Sequence, residues 1–233
     1  MDNRFEREEM LIGKEAMEKL RGARVALFGV GGVGAAAAEG LARGGVGAID
    51  LIDNDTVSVT NINRQLCALS STVGMPKVEA VEARLSDINP ELTITLRQLF
   101  FLPETELDFS VYDYIVDAID TVSAKVEIAR RASGAGVPVI SCMGTGNKLD
   151  ATALTVTDIS KTSVCPLARV MRRELRACGV THLKVVYSTE EPRKVFVEDS
   201  HGKHPPASIS FVPTAAGFIA AGEVIRDIIG IKR

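Results

Sequence analysis

Four side chains between residues 53 and 120 are of the types that together can handle a polyphosphate: Asp53, Arg64, Lys77 and Asp120. They follow a glycine cluster, Gly29-Val30-Gly31-Gly32-Val33-Gly34, with the spacing G-x-G-x-x-G between an apolar run and a helix-compatible stretch. Glycines at Gly29, Gly31, Gly32 and Gly34 permit a tight turn and close approach of a phosphate. The free N–H groups and positive end of the following helix attract its charge. Nineteen residues after Gly34, the next apolar run ends at Asp53, whose carboxylate can accept hydrogen bonds from a ribose hydroxyl. These features specify a nucleotide without separating NAD from ATP.

The residues that follow make that separation. Asp53-Asn54-Asp55-Thr56-Val57 leads to Asn61, Arg64 and Gln65, then to Lys77 and Asp120. A hydride-transfer site has no evident need for an Arg and a Lys gathered after its second strand. A site that handles a triphosphate does, because they neutralise charge that builds on the phosphoryl groups as pyrophosphate leaves. Lys77 stands in the first turn of a predicted helix, where a cation opposes the macrodipole, and a neighbouring anion removes the conflict. Asp120, at the carboxyl end of a strand, can hold a magnesium ion bridging phosphates. Each residue also has a plain structural alternative. For Asp120 it is the N-cap of a helix beginning near Val122; for Asn61 and Arg64, a loop contact; for Lys77, a solvated helix face.

The elements that must position these groups alternate along the chain. A helix is predicted over Glu6 to Leu20, a strand at Val25 to Phe28, an Ala-rich helix from Gly34, and a strand at Ile49 to Ile52. Gly74-Met75-Pro76 and Asn89-Pro90 bracket the next helix. Strands follow at Leu92 to Leu96, Tyr114 to Val116 and Val137 to Ser141, separated by helix-compatible segments. The expectation is an α/β fold with a Rossmann-like, doubly wound, mainly parallel sheet and right-handed crossovers. Beyond Thr152 to Thr157 come a basic helix from Pro166 to about Cys178, a strand at Leu183 to Tyr187 and a charged loop. Residues 159–206 read as an excursion from the sheet, short of core-forming residues, within a single domain over 1–233.

Composition narrows the function classes. The 233 residues are 46% hydrophobic and 24% charged, in the ordinary globular range, and the net charge of −3 argues against wholesale coating of nucleic acid. Residues 161–203 nevertheless carry +4 against −7 for the rest, which places a basic surface beside the nucleotide site. Within it Arg169, Arg172, Arg173 and Arg176, helped by Lys161, have helical spacing suited to phosphate contacts, the alternative being a solvated basic helix. Cys67, Cys142, Cys165 and Cys178 form no C-x-x-C pair, so no structural zinc is expected. His182, His201 and His204 have no helical spacing suited to a metal. The opening residues show no apolar core of signal-peptide length, which predicts a cytoplasmic protein. Ala207 to Ile225 holds one charge, Glu223, over a length near that of a membrane span. Pro213 and the polar Glu223, Arg226 and Asp227 favour a buried strand at Ser208 to Val212 and then a core helix from Thr214 to about Gly230, so a membrane partner is not expected.

Taken jointly, Arg4-Phe5-Glu6-Arg7, Gly29 to Gly34, Asp53-x-Asp55-x-Val57, Asn61-x-x-Arg64-Gln65, Gly74-x-Pro76-Lys77 and Asp117-Ala118-Ile119-Asp120 resemble the E1-like adenylating family that includes the ThiF, MoeB and HesA proteins. The resemblance runs from Arg4 to about Thr157 and is highly specific. It implies that Asp53 binds ribose, that Asn61, Arg64 and Lys77 engage the phosphates, and that Asp120 supports Mg-ATP and adenylation of a carboxylate. It also implies a homodimer in which Arg7 reaches the partner subunit's ATP site. The second half is similar to the tRNA threonylcarbamoyladenosine dehydratases at residues 115–122, 156–162, 166–167 and 186–190. That similarity implies a tRNA substrate, whose N6-threonylcarbamoyladenosine carboxylate attacks the α-phosphate of ATP. The modification's own carbamoyl group then displaces AMP and closes a ring with net loss of water, and no enzyme nucleophile is required. A sulfur-transfer protein partner is compatible with this reading. Two rivals stand beside it: adenylation of a ubiquitin-like or sulfur-carrier protein's C-terminus, with Cys165 as an acceptor thiol, and a NAD-binding redox or sensor protein.

Overall fold

Gly13 takes φ 85°, ψ 163°, a conformation that only glycine adopts freely, and so divides the opening helix expected over Glu6 to Leu20 into α1 (Glu6–Ile12) and α2 (Lys14–Gly22). The computed structural model describes residues 4–195 and 206–231. His201, His204 and Lys203 lie outside the described residues.

After α2 the chain alternates between strands and helices: β1 (Arg24–Phe28), α3 (Gly32–Arg43), β2 (Ala48–Ile52), α4 (Lys77–Ile88), β3 (Thr93–Arg97), β4 (Tyr114–Asp117), α5 (Val122–Ala135) and β5 (Val139–Cys142). Then come β6 (Leu154–Asp158), α6 (Pro166–Ala177), β7 (Lys184–Ser188) and α7 (Phe211–Ile229). The strands form one seven-stranded sheet in the order β3-β2-β1-β4-β5-β7-β6, parallel except for the β6–β7 pair. Val25, Leu27 and Phe28 of β1 and Ile49, Leu51 and Ile52 of β2 are buried, as expected for strands covered on both faces by crossover helices. The strand order reverses between β1 and β4, and both strands end at residues that face one crevice.

Two expectations are corrected in the second half. The stretch 159–206 does not stay outside the sheet: α6 packs through Ala168, Met171 and Leu175 on a cluster with Ile159, Cys165, Leu183, Val185 and Tyr187, and the chain returns as β7 between β5 and β6. Its apolar residues are sparse along the sequence but fall on one face, which is enough for a core. No strand forms over Ser208 to Val212. Residues 206–209 are irregular, and α7 begins at Phe211, with Pro213 in its first turn, where the missing N–H costs nothing.

Helix α7 packs along α3 through small residues. A Cβ added to Gly217 would stand 2.2 Å from the Val33 carbonyl oxygen, and one on Gly40 2.7 Å from the Ala221 methyl. Among the described residues no helix is long and apolar enough to cross a membrane.

Candidate nucleotide site

The turn between β1 and α3 is held by backbone contacts that leave no room for side chains. Gly29 has φ 84°, and a Cβ on Gly34 would lie 1.7 Å from the Gly29 carbonyl oxygen. Gly31 is the N-cap of α3 and offers no side chain to the helix, so the first N–H groups of α3 open toward solvent rather than toward a cap. This is a helix terminus built to receive an anion.

Asp53 ties this turn to the end of β2. Its Oδ2 accepts from the Val30 N–H at 2.8 Å and its Oδ1 from the Asp55 N–H at 2.8 Å. A carboxylate so fixed retains lone pairs for a ribose hydroxyl.

A cavity of about 530 Å³ opens over these groups. Gly29, Gly31, Gly32, Asp53, Asp55, Asn61, Arg64, Gln65, Lys77 and Asp120 all line it. Residues as far apart in sequence as Gly29 and Asp120 are thus brought around one cavity, at the carboxyl ends of β1, β2 and β4, as the strand order requires. Gly34 stands behind the turn and serves its geometry.

The cations are disposed differently from one another. Lys77 opens α4, is 6% exposed, and places Nζ 2.6 Å from Asp55 Oδ2. The anion that a first-turn lysine demands is therefore present within the chain itself. Arg64 donates Nη1 to the Thr60 carbonyl and to Asn63 Oδ1, both at 2.9 Å, and pairs with no carboxylate among the described residues. Asn61 Oδ1 accepts from the Ser58 N–H, which secures the short turn carrying Arg64. Gln65 is buried and leaves Oε1 without a partner.

Asp120 is exposed in the cavity, and its carboxylate makes no hydrogen bond or ion pair among the described residues. It does not serve as the cap of α5: Thr121 is the N-cap, with no side-chain bond. The structural alternative for Asp120 is therefore not taken up, and a free carboxylate faces the glycine turn. This side chain, Arg64 and the uncapped helix end can together hold a metal-bound polyphosphate.

Arg7 lies exposed on α1 and is not among the residues lining this cavity. Lys161, in the turn before α6, and Arg169 and Arg176 on α6 are exposed, whereas Arg172 turns inward to the Thr162 carbonyl and hydroxyl, and Arg173 pairs with Glu174 at 2.6 Å. Cys165 is buried at the start of α6.

Sequence reasoning missed two groups. One is the wall formed by Leu99, Phe100 and Phe101 on one side and Thr145, Ser208 and Pro213 on the other. All but Pro213, in the first turn of α7, come from loops, and none belongs to a motif of its own. The other is Lys125, fully buried beside Asp117 with Nζ–Oδ2 at 2.9 Å. The signal that singled out Lys77 applied here too, since Lys125 lies in the opening turns of α5 and that helix has no acidic residue in its first turn.

Comparison with known proteins adds three findings. A model described as the ThiF family matches residues 5–233. The chain is 44% identical to a tRNA threonylcarbamoyladenosine dehydratase of Bacillus subtilis over an alignment covering 100% of this chain and 98% of that protein. The crystal structure of E. coli tRNA N6-threonylcarbamoyladenosine dehydratase in complex with AMP superposes with a TM-score of 0.89 at 33% identity, covering 97% of this chain and 94% of that one. The ATP complex of the same enzyme gives 0.88 over the same shares.

Proposed function

The chain belongs to the ThiF family, and on that premise we propose that it uses ATP to adenylate the carboxylate of N6-threonylcarbamoyladenosine in tRNA and so drives its cyclising dehydration. The carboxylate attacks the α-phosphate and pyrophosphate leaves. The modification's carbamoyl group then attacks the activated acyl carbon, AMP departs, and one water has been lost overall. Activation turns a poor leaving oxygen into a good one, and the second step is intramolecular, so the chain needs to orient and to exclude water rather than to supply a nucleophile.

The observation that carries this reading is the unpartnered Asp120 carboxylate facing the glycine turn across a cavity that also holds Arg64 and Lys77. In our reading Asp53 holds the ribose, the N–H groups of α3 with Asn61, Arg64 and Lys77 hold the phosphates, and Gln65 and Asp55 complete the wall. Asp120 is the residue to hold Mg²⁺, which when bound neutralises phosphate charge. The full chain acts as one adenylating unit in the cytoplasm, as a homodimer in which Arg7 completes the partner subunit's site. Lys161, Arg169 and Arg176 meet tRNA phosphates, with Arg172 and Arg173 shaping that surface, and a sulfur-transfer protein is a compatible further partner.

Activation of a carrier protein with thiol transfer is disfavoured by the buried position of Cys165. A NAD-dependent reaction leaves the Asp120, Arg64 and Lys77 cluster without a purpose. The test is direct. Incubation with ATP and tRNA bearing the open-chain modification lowers that nucleoside's mass by one water; an unchanged mass, with intact folding and ATP turnover into other products, refutes the substrate.

A further inference from the structure

Among the described residues Asp120 has no hydrogen bond of its own, yet it stands at a defined place in the cavity. We propose that Lys125, outside the cavity, is the residue that positions it, acting through the backbone of Ile119 as half of a buried ion pair with Asp117. This proposal rests on the reading of Asp120 as a group that handles the nucleotide.

The geometry fixes residue 119 from both sides. Its N–H donates to Asp117 Oδ1 at 3.3 Å, and its carbonyl accepts from Lys125 Nζ at 3.1 Å. The same Nζ donates to the Cys142 carbonyl at 2.9 Å and pairs with Asp117 Oδ2 at 2.9 Å, so the ammonium meets two carbonyl oxygens and a carboxylate. Asp117 Oδ2 also accepts from the Ser141 hydroxyl at 2.5 Å. The peptide groups immediately before Asp120 are thereby joined to the ends of β4 and β5 and to α5.

Stability alone is a poor reason for this arrangement. Both side chains are essentially fully buried, at 0% and 1% exposure, and such a pair recovers little more than its desolvation cost when set against apolar residues of the same volume. What an apolar pair cannot do is hold a carbonyl and an N–H of one residue in fixed directions. The free carboxylate needs that rigidity, since it can take no cap or partner without losing its availability to a cation, and a misplacement of about 1 Å costs on the order of a hundredfold in rate.

The test compares Lys125→Met, Asp120→Asn and the Lys125→Met/Asp120→Asn double variant of the full chain. It measures AMP formation with substrate tRNA, the Mg²⁺ concentration giving half-maximal rate, and thermal melting. Lys125→Met is expected to lower kcat by about tenfold to a hundredfold and to raise the half-saturating Mg²⁺, with KM for ATP within about threefold. In the Asp120→Asn background it is expected to add nothing. Multiplicative losses, or a loss that tracks the folded fraction with unchanged Mg²⁺ dependence, would overturn the proposal while leaving Asp120's own role intact. Full activity of Asp120→Asn would remove both. Should Lys125→Met fail to fold, Asp117→Asn/Lys125→Met removes both buried charges together; the folded double variant is expected to show the same raised Mg²⁺ requirement, and wild-type kinetics from it would overturn the assignment.

Discussion

Lys77 Nζ lies 2.6 Å from Asp55 Oδ2, with the amine buried and the carboxylate more than half exposed. Lysine at the first position of α4 is unfavourable for the helix alone, and the pair resolves that conflict while keeping the cation at the cavity wall. In the proposed function an incoming polyphosphate would compete with Asp55 for the same ammonium. Lys77→Ala is expected to lower the rate of AMP formation by about a hundredfold or more and to raise KM for ATP, as for loss of a preorganised cation at a developing charge. Steady-state kinetics over a range of ATP concentrations decides the point, and an unchanged kcat with a normal KM counts against it.

Asp120→Asn removes the charge and preserves the volume, and Arg64→Ala removes a guanidinium that no carboxylate among the described residues neutralises. Both are expected to lower AMP formation by about a hundredfold to a thousandfold, to a residual rate that can still be measured, while thermal melting stays within a few degrees of the parent, since neither group supports the core. Parental turnover in both variants would overturn the site.

The wall formed by Leu99, Phe100 and Phe101 depends on a residue outside it. Arg131 donates to the Thr105 carbonyl at 2.7 Å and to the Pro103 carbonyl, rests 5.4 Å from the Phe101 ring centroid, and is steadied by Glu127 at 2.7 Å. Arg131→Ala is expected to loosen this loop and raise KM for ATP about threefold to tenfold, with kcat within about twofold. An equal fall in kcat and kcat/KM would place Arg131 in the chemistry instead.

The glycines of the turn differ in tolerance. Gly34→Ala forces a methyl to 1.7 Å from a carbonyl oxygen, and it is expected to cost about 3 kcal/mol or more in urea unfolding. Gly31→Ala meets nothing nearer than 3.7 Å and is expected to fold normally while weakening ATP binding, because its methyl enters the space that a phosphate needs. Unfolding curves with and without ATP separate the two, and a normally stable Gly34→Ala would be decisive against this account.

Glu127 is held at about 2 by its hydrogen bonds to Arg130, against the pull of burial, with Arg131 lowering it further. Its folded value lies below its ordinary one near 4.5, so its contribution to stability is complete above that range and is lost as pH falls toward 2. The difference in urea midpoint between the parent and Glu127→Gln is expected to be constant above about pH 6 and to shrink between about pH 5 and 2. A gap that persists unchanged at pH 2 would show that packing, not charge, sets it.

The parts of this fold legible from sequence are those that local physics dictates. Val25 to Phe28, the glycine turn and Asp53 are read from an apolar run, a spacing and a strand end, and the expected strands from Ile49 through Tyr187 fall within two residues of those observed. Gly13 was passed over because one glycine inside a helical pattern is ordinarily tolerated. Ser208 to Val212 failed because an apolar run before proline fits a strand's end and a helix's first turn equally well. The insertion of β7 between β5 and β6 depends on contacts across the sheet that no window along the chain contains, and the meeting of Asp117 with Lys125 depends on how the turn from β4 into α5 folds back. The motif around Asp120 names the residue; the means of holding it is signalled only by a lysine in the opening turns of a helix without a first-turn acid.

The packing of α7 on α3 has a consequence for the order in which the chain becomes competent. Pro213 abuts Gly32, and Gly217 sits against the Val33 carbonyl, so the back of the glycine turn is formed by the last helix described. A nascent chain that has emerged as far as residue 158 already carries every cavity residue assigned to the nucleotide, but it exposes the small-residue face of α3 to water. Nucleotide capture during synthesis must therefore wait for α7 to emerge, and a ribosome stalled before Phe211 displays a sticky, unfinished cradle rather than a working one.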